Sequence, residues 1–235
     1  MKNKILGIIG GMGAGATADL FQKIIALTDA KNDQEHIHVL IDNNTKIPDR
    51  SIYLLNKDET KSPKKYLINS AKKLESIGAD ILAIACNSSH YFIDDIRACI
   101  TIPVINMVEE TANEAAKMGL RCVGVLGTEG FVKAVNYKAF YDKLRIEIVI
   151  PTEEEQKHIS RLIYKGIKSA DYSINLSGFM NTLKRMSAYG VDAFALSCTE
   201  LPLAFSYFNI DYPFLDSTKI LAAKAIIEAG GRLSQ

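Results

Sequence analysis

Two nine-residue stretches, 112 positions apart, constrain this chain more than any other feature. Gly78-Ala-Asp-Ile-Leu-Ala-Ile-Ala-Cys86 and Gly190-Val-Asp-Ala-Phe-Ala-Leu-Ser-Cys198 share an opening glycine, an aspartate, a buried-strand run and a closing cysteine. Two more echoes follow the same order. Leu6-Gly-Ile-Ile-Gly10 returns as Val123-Gly-Val-Leu-Gly127, a strand that ends in a glycine turn each time. Ile102-Pro-Val-Ile-Asn106 returns as Tyr212-Pro-Phe-Leu-Asp216 at an offset of 110. One apolar strand often matches another by chance, but three in sequence point to an internal duplication.

Between these motifs, apolar runs of strand length alternate with amphipathic patterns of helix length, the signature of parallel α/β structure. Ile5 to Ile9, Ile37 to Ile41, Ile81 to Ala85 and Val104 to Asn106 read as buried strands of the first half. The clearest helix opens at Ser62-Pro63, a capping serine with proline in the first turn, and stops before Gly78. The expected fold is α/β, with two pseudosymmetric parallel-sheet domains and an active site in the cleft between them. A chain of 235 residues is long enough for both cores. Each proline-containing strand is followed by a helix, Val108 to Met118 and Ser217 to Ala229. If the chain starts and finishes in one domain, its last helix packs back on the first. The division expected is residues 1–106 plus 214–235 for a discontinuous first domain, and 107–213 for the second.

Composition removes whole classes of function. A formal net charge of +1 gives no basic stripe of the kind a phosphate backbone selects, so no nucleic-acid partner is expected. No apolar run approaches the ~20 residues of a membrane span. The run after Met1-Lys-Asn-Lys4 stops at Gly10-Gly11, too short for a signal-peptide core. A cytoplasmic protein without a membrane partner is expected. The four cysteines are too few for a disulfide scaffold and contain no C-x-x-C pair. Cys86 and His90 stand four apart, but two ligands do not make a zinc site. Cys99, inside a helix expected from Tyr91 to Ile100, and Cys122, opening a strand, read as structural.

Cys86 and Cys198 differ from that pair. Each ends one of two equivalent strands, and open parallel sheets gather function beyond their carboxyl ends. With strand ends facing across a pseudo-twofold axis, the two thiols oppose each other. Inverting a carbon centre without a cofactor asks for that layout: one base takes a proton from one face, and a like acid returns one to the other. Asn87-Ser88-Ser89 and Thr199-Glu200 follow the cysteines as helix entries, where free N–H groups favour a thiolate and can hold a carboxylate. Glu200 works the other way, since a carboxylate raises a neighbouring thiol's pKa. The rival reading is a dinucleotide site. Gly11-Met-Gly13-Ala-Gly-Ala16 fits G-x-G-x-x-G/A after a strand, with Asp42 ending the next strand, but it leaves both cysteines unexplained.

Taken in order, Gly10-Gly-Met-Gly13 with Ala16-Thr17, Asn44 and Ile47-Pro-Asp-Arg50, Ala85-Cys-Asn87 with His90, and Cys198-Thr-Glu-Leu201 resemble the aspartate/glutamate racemase superfamily, most of all its aspartate racemase branch. The resemblance spans essentially the whole chain. It implies a pyridoxal-independent amino-acid racemase with no cofactor, commonly a homodimer, acting on a small acidic amino acid. It implies that Cys198 takes the proton from the L-enantiomer and Cys86 from the D-enantiomer. Met12 and Gly13 would floor the cleft, and Asn87, Ser88, Ser89 and Thr199 would hold the α-carboxylate and ammonium. Arg50 and Lys165 would meet the distal carboxylate, a contact suited to a planar guanidinium. Glutamate or broad-specificity racemases, hydantoin racemases, maleate isomerases and arylmalonate decarboxylases share this superfamily; the paired cysteines disfavour the decarboxylases. The family pattern has proline where Ala14 stands, Thr-Ala at Ser88-Ser89, glycine at Ser197 and threonine at Phe131. The serines keep or add hydroxyls, whereas Phe131 would either narrow substrate choice or pack away from the cleft.

Overall fold

A computed structural model describes residues 3–234. In chain order the first half runs β1 (Leu6–Gly10), α1 (Ala14–Leu27), β2 (Val39–Asn43), α2 (Arg50–Asn56), α3 (Lys64–Ser76), β3 (Ile81–Ile84), a 3-10 turn (Asn87–Phe92) and α4 (Ile93–Arg97). After α5 (Met107–Lys117) come β4 (Cys122–Gly127), α6 (Glu129–Ala134), α7 (Lys138–Lys143), β5 (Glu147–Val149) and α8 (Glu153–Arg161). A π-helix (Leu162–Lys168) continues α8, followed by α9 (Ser177–Ala188), β6 (Ala193–Ser197), α10 (Leu201–Tyr207), β7 (Phe214–Asp216) and α11 (Ser217–Glu228).

The strands form two all-parallel sheets, ordered β2-β1-β3 and β5-β4-β6-β7. Their registers repeat as the sequence echoes require. Leu6 pairs with Ile81 in the first sheet, and Val123 with Ala193 in the second. Gly7 and Gly124 have the same job: a Cβ on Gly7 would lie 2.5 Å from the Leu82 side chain, and one on Gly124 2.7 Å from the equivalent Phe194. The segments after the prolines also correspond. Leu82 N–H donates to the Pro103 carbonyl and Phe194 N–H to the Pro213 carbonyl, each at 2.9 Å. Asn106 then caps α5 by accepting from Val108 and Glu109 N–H, as Asp216 caps α11 by accepting from Thr218 and Lys219 N–H.

Three local expectations change. Ser62 does not cap α3, whose N-cap is Pro63 and whose first residue is Lys64. Val104 to Asn106 shrinks to a single parallel bridge, Leu82 to Val104, because Asn106 turns away to cap α5. Cys99 lies just past the end of α4, in a turn, and not within a helix.

Three apolar clusters hold the molecule together. One spans both halves, joining Ile84, Cys86 and Phe92 to Val123, Val125 and Phe131. A second fills the far side of the second sheet around Phe179, Phe194 and Phe205. The third sets Leu6, Ile8 and Leu20 against Leu221, Ala222, Ala225 and Ile226 of α11. So β7 extends the second sheet, while α11, which follows it directly, packs on the first. Backbone bonds fasten this return: Lys4 N–H donates to the Ala229 carbonyl at 3.0 Å and Asp29 N–H to the Arg232 carbonyl at 2.8 Å. Truncating buried Leu221 to alanine should cost about 2–5 kcal/mol. No helix among the described residues is long and apolar enough to cross a membrane.

Candidate active site

Parallel strands deliver their carboxyl ends to one edge, and here two such edges face each other. Between them lies a small cavity of about 20 Å³ that receives Met12, Arg50, Cys86, Asn87 and Ser88 from the first half. The second half contributes Thr128, Tyr164, Lys168, Ser197, Cys198, Thr199 and Glu200. Hydroxyl contacts close the seam. Ser88 Oγ and Thr128 Oγ1 are 3.1 Å apart, Gly130 N–H donates to Ser51 Oγ at 3.0 Å, and Ser217 Oγ, which accepts from Asn87 Nδ2 at 3.0 Å, donates across to the Leu196 carbonyl at 2.7 Å.

Both cysteines line this cavity, and each is 7 % exposed. Cys86 follows β3 and precedes the 3-10 turn. Its carbonyl accepts from His90 Nδ1 at 2.9 Å, and His90 Nε2 accepts from Met107 N–H at 3.1 Å. An Nε2 that accepts fixes the proton on Nδ1, so the imidazole is neutral. Burial pushes its pKa down to about 4. His90 therefore ties the Cys86 backbone to the start of α5, and it meets the carbonyl of Cys86, not the thiol.

Arg50 opens α2, whose N-cap Asp49 accepts from Ile52 N–H at 2.9 Å. Its guanidinium donates to the Met12 carbonyl at 2.7 Å and the Pro48 carbonyl at 3.0 Å. Only 8 % of the residue is exposed, and Nε has no hydrogen-bond partner among the described residues. Burial works against the charge, but interactions with Cys86, Asp49 and Glu200 hold its pKa above the ordinary arginine value.

Cys198 sits in the opposite charge. Its Sγ donates to Glu200 Oε2 at 3.0 Å, and Thr199 Oγ1 donates to the same oxygen at 3.2 Å. Burial, and then the Glu200 charge, push the Cys198 thiol well above the ordinary range, while Lys168 pulls it down. Lys168 Nζ pairs with Glu200 Oε1 at 3.0 Å; the lysine side chain is 27 % exposed and the glutamate 7 %. Burial disfavours the ammonium, but Glu200 and Cys198 raise its pKa overall. Tyr164 completes this wall with a phenol pushed up to about 12 by burial and by the charge of Asp49.

Of the residues picked out in the sequence, Cys86, Cys198, Met12, Arg50, Asn87, Ser88 and Thr199 all border the cavity. Gly13 lies beside it, with Glu200 Oε1 3.8 Å from where its Cβ would be. Ser89 is fully buried behind the wall, its hydroxyl on Met12 Sδ at 3.1 Å. Lys165 is exposed and is not among the residues that line the cavity, whereas Lys168, three positions on, lines it. Adjacent residues on a helix point about 100° apart, whereas residues four apart share a face. With Tyr164 facing inward, the cation that joins it is therefore Lys168. The π-helical winding of this segment fits a pattern common at functional sites. Phe131 packs away from the cavity, stacked on Tyr137 at 5.2 Å and filling the space above Gly127. Asp42, the candidate ribose acid, is held by Lys73 at 2.8 Å.

The chain matches the Asp/Glu/Hydantoin racemase family over residues 9–225. It is 28 % identical to the broad specificity amino-acid racemase of Bacillus subtilis, covering 94 % of this chain and 96 % of that protein. Among solved structures, the Picrophilus torridus aspartate racemase superposes with a TM-score of 0.85 at 33 % identity, over 98 % of this chain and 96 % of that one. An aspartate racemase homologue from Pyrococcus horikoshii gives a TM-score of 0.76 at 28 % identity, over 97 % and 99 % of the two chains. A duplicated α/β fold, a two-cysteine cavity at its seam and a full-length family match agree: this chain belongs to the Asp/Glu/hydantoin racemase family and is a racemase, an isomerase.

Proposed function

We propose that this racemase interconverts L- and D-aspartate without a cofactor, by moving the Cα proton between Cys86 and Cys198. The observation that carries the reading is the placement of both thiols, with Arg50 and Lys168, on one cavity at the seam. An acidic side chain entering so buried a space needs a positive partner, and two are present. From D-aspartate, the Cys86 sulfur takes the Cα proton, and the thiol of Cys198 returns one on the opposite face to give the L-form. From L-aspartate the roles exchange. The hydrogen bond from Cys198 Sγ to Glu200 supports a protonated Cys198 in the resting enzyme, ready to give its proton. Asn87, Ser88 and Thr199 are the polar groups available to the α-carboxylate and ammonium.

The Bacillus relative supports a second reading, in which neutral amino acids and glutamate are also turned over. We also propose a division into a first unit of residues 1–106 with the C-terminal tail, expected from 214, and a second unit from 107. We place the return to the first unit at Ser217, since β7 lies in the second sheet.

Chiral chromatography of L- and D-aspartate, L- and D-glutamate and a neutral panel, without added cofactor, tests both readings. Aspartate turned over well above glutamate and alanine supports the first, and equal rates across the panel support the second. Inertness toward every amino acid would remove both.

A further inference from the structure

The wall around Cys198 contains a group that proton transfer at Cα does not itself require. Glu200 is 7 % exposed and bonded at both oxygens: Oε2 accepts from the Cys198 thiol at 3.0 Å, and Oε1 meets Lys168 Nζ at 3.0 Å. Lys168 leads outward, with 27 % of its side chain exposed. The result is a continuous line from sulfur through carboxylate to ammonium to water. Around Cys86 the arrangement differs. Its neighbour Arg50 is 8 % exposed and turned onto the Met12 and Pro48 carbonyls, and a guanidinium does not give up a proton. His90 is bonded at both ring nitrogens to backbone.

A two-base racemase has a problem that such a line solves. After converting a D-substrate, Cys86 holds the abstracted proton and Cys198 is a thiolate. That form accepts only the L-enantiomer. Before a second D-substrate reacts, the enzyme must regain a proton at Cys198 and release one from Cys86.

We propose that Glu200 is the proton relay that resets Cys198 between turnovers, passing a proton from Lys168 to the sulfur. This rests on the two-cysteine reading above. In the reset, the Lys168 ammonium gives a proton to Glu200 Oε1. The neutral carboxyl group turns and gives it to the Cys198 thiolate, and Lys168 recovers a proton from water. The Cys86 thiol gives its proton to water entering the cavity as product leaves, which cancels the proton Lys168 takes from water. Charge and protons therefore balance, and no redox step is involved. The raised pKa of the Cys198 thiol favours protonation of its thiolate at the end of the relay.

The test separates net conversion from exchange. Net conversion of a pure enantiomer needs the reset at every turnover. Exchange of carbon label between L and D in an equimolar mixture does not, because the form left by one enantiomer accepts the other. In E200Q, net conversion at saturating aspartate should fall at least about tenfold further than label exchange. E200D, whose carboxylate is withdrawn by one methylene, should show the same separation in smaller degree, and it serves if E200Q does not fold. A Glu200 that only positions the thiol would lower both rates in parallel. Parallel loss, or no loss in either, overturns the relay. C198S, measured alongside, keeps the two levels apart. If it still racemises aspartate, the two-cysteine reading fails; if it is inert while E200Q loses both rates together, only the relay fails.

Discussion

Cys86 and Cys198 close equivalent strands, border the same cavity and are equally buried, yet their polar surroundings have diverged. Cys86 has a cation beside it and a backbone anchored through His90 to α5. Cys198 has a carboxylate on its sulfur, a lysine behind that carboxylate, and a carbonyl that accepts from Leu201 N–H at 2.9 Å without any histidine. Duplication supplied the shared geometry: strand end, cysteine, polar helix entry. The surrounding side chains supply opposite charges, a guanidinium near Cys86 and a carboxylate on Cys198. A racemase needs bases that can exchange roles, but nothing requires them to rest in the same state.

Several changes would sharpen or erase that difference. The largest effect falls on the Cys86 side and on stability. His90 titrates near 4 in the folded chain and near 6.5 when unfolded. Above pH 6.5 both states are neutral and the contribution is complete. As pH falls toward 4, the unfolded chain takes the proton first, so stability drops by about 3 kcal/mol. Urea unfolding at pH 7.5 and 4.5 should show this loss, and His90→Asn should flatten it. An unchanged slope in H90N would detach His90 from the acid sensitivity.

Arg50→Ala comes next. Charge-assisted hydrogen bonds are worth about 1.5–3 kcal/mol, so KM for aspartate should rise roughly 10- to 100-fold. Alanine, with no distal carboxylate, should be much less affected. Equal losses for both substrates would mean that Arg50 serves only the Met12 and Pro48 carbonyls. On the Cys198 side, Lys168→Met removes the counter-ion of a buried carboxylate and should cost about tenfold in kcat/KM, whereas Lys165→Met should stay within about twofold. The reverse ranking would restore Lys165 to the site. Phe131→Thr should have the smallest catalytic effect, since the ring packs on Tyr137 and Gly127; thermal melting should register the loss of packing before kinetics does.

The repeat was legible because it lies in backbone terms: glycines where a neighbouring strand's side chain needs room, prolines before an edge segment, and a polar cap at each helix start. Periodicity and spacing carry those features directly. Arg50 was legible only through the family resemblance, because its place after Pro48-Asp49 by itself reads equally well as a solvated loop; the helix it opens came with the fold. Lys168 was not separable from Lys165 by composition, since both stand in one lysine-rich stretch; only the inward face set by Tyr164 distinguishes them. Ser89 reads like its neighbour Ser88, but one turn of a 3-10 helix sends its hydroxyl to Met12 and away from the cavity. Glu200 was visible as a carboxylate near a thiol. Its link to Lys168, far away in sequence, needed the fold.

The claim that two thiols act on opposite faces is tested most directly by exchange in heavy water. Cys86→Ser and Cys198→Ser should each abolish racemisation of aspartate with melting temperature and circular dichroism retained. Each should still wash out the Cα proton of one enantiomer only: L-aspartate by the Cys86→Ser enzyme, which keeps Cys198, and D-aspartate by the Cys198→Ser enzyme, which keeps Cys86. Racemisation at the wild-type rate by both variants, or loss of the Cα proton from both enantiomers in either one, would contradict the account.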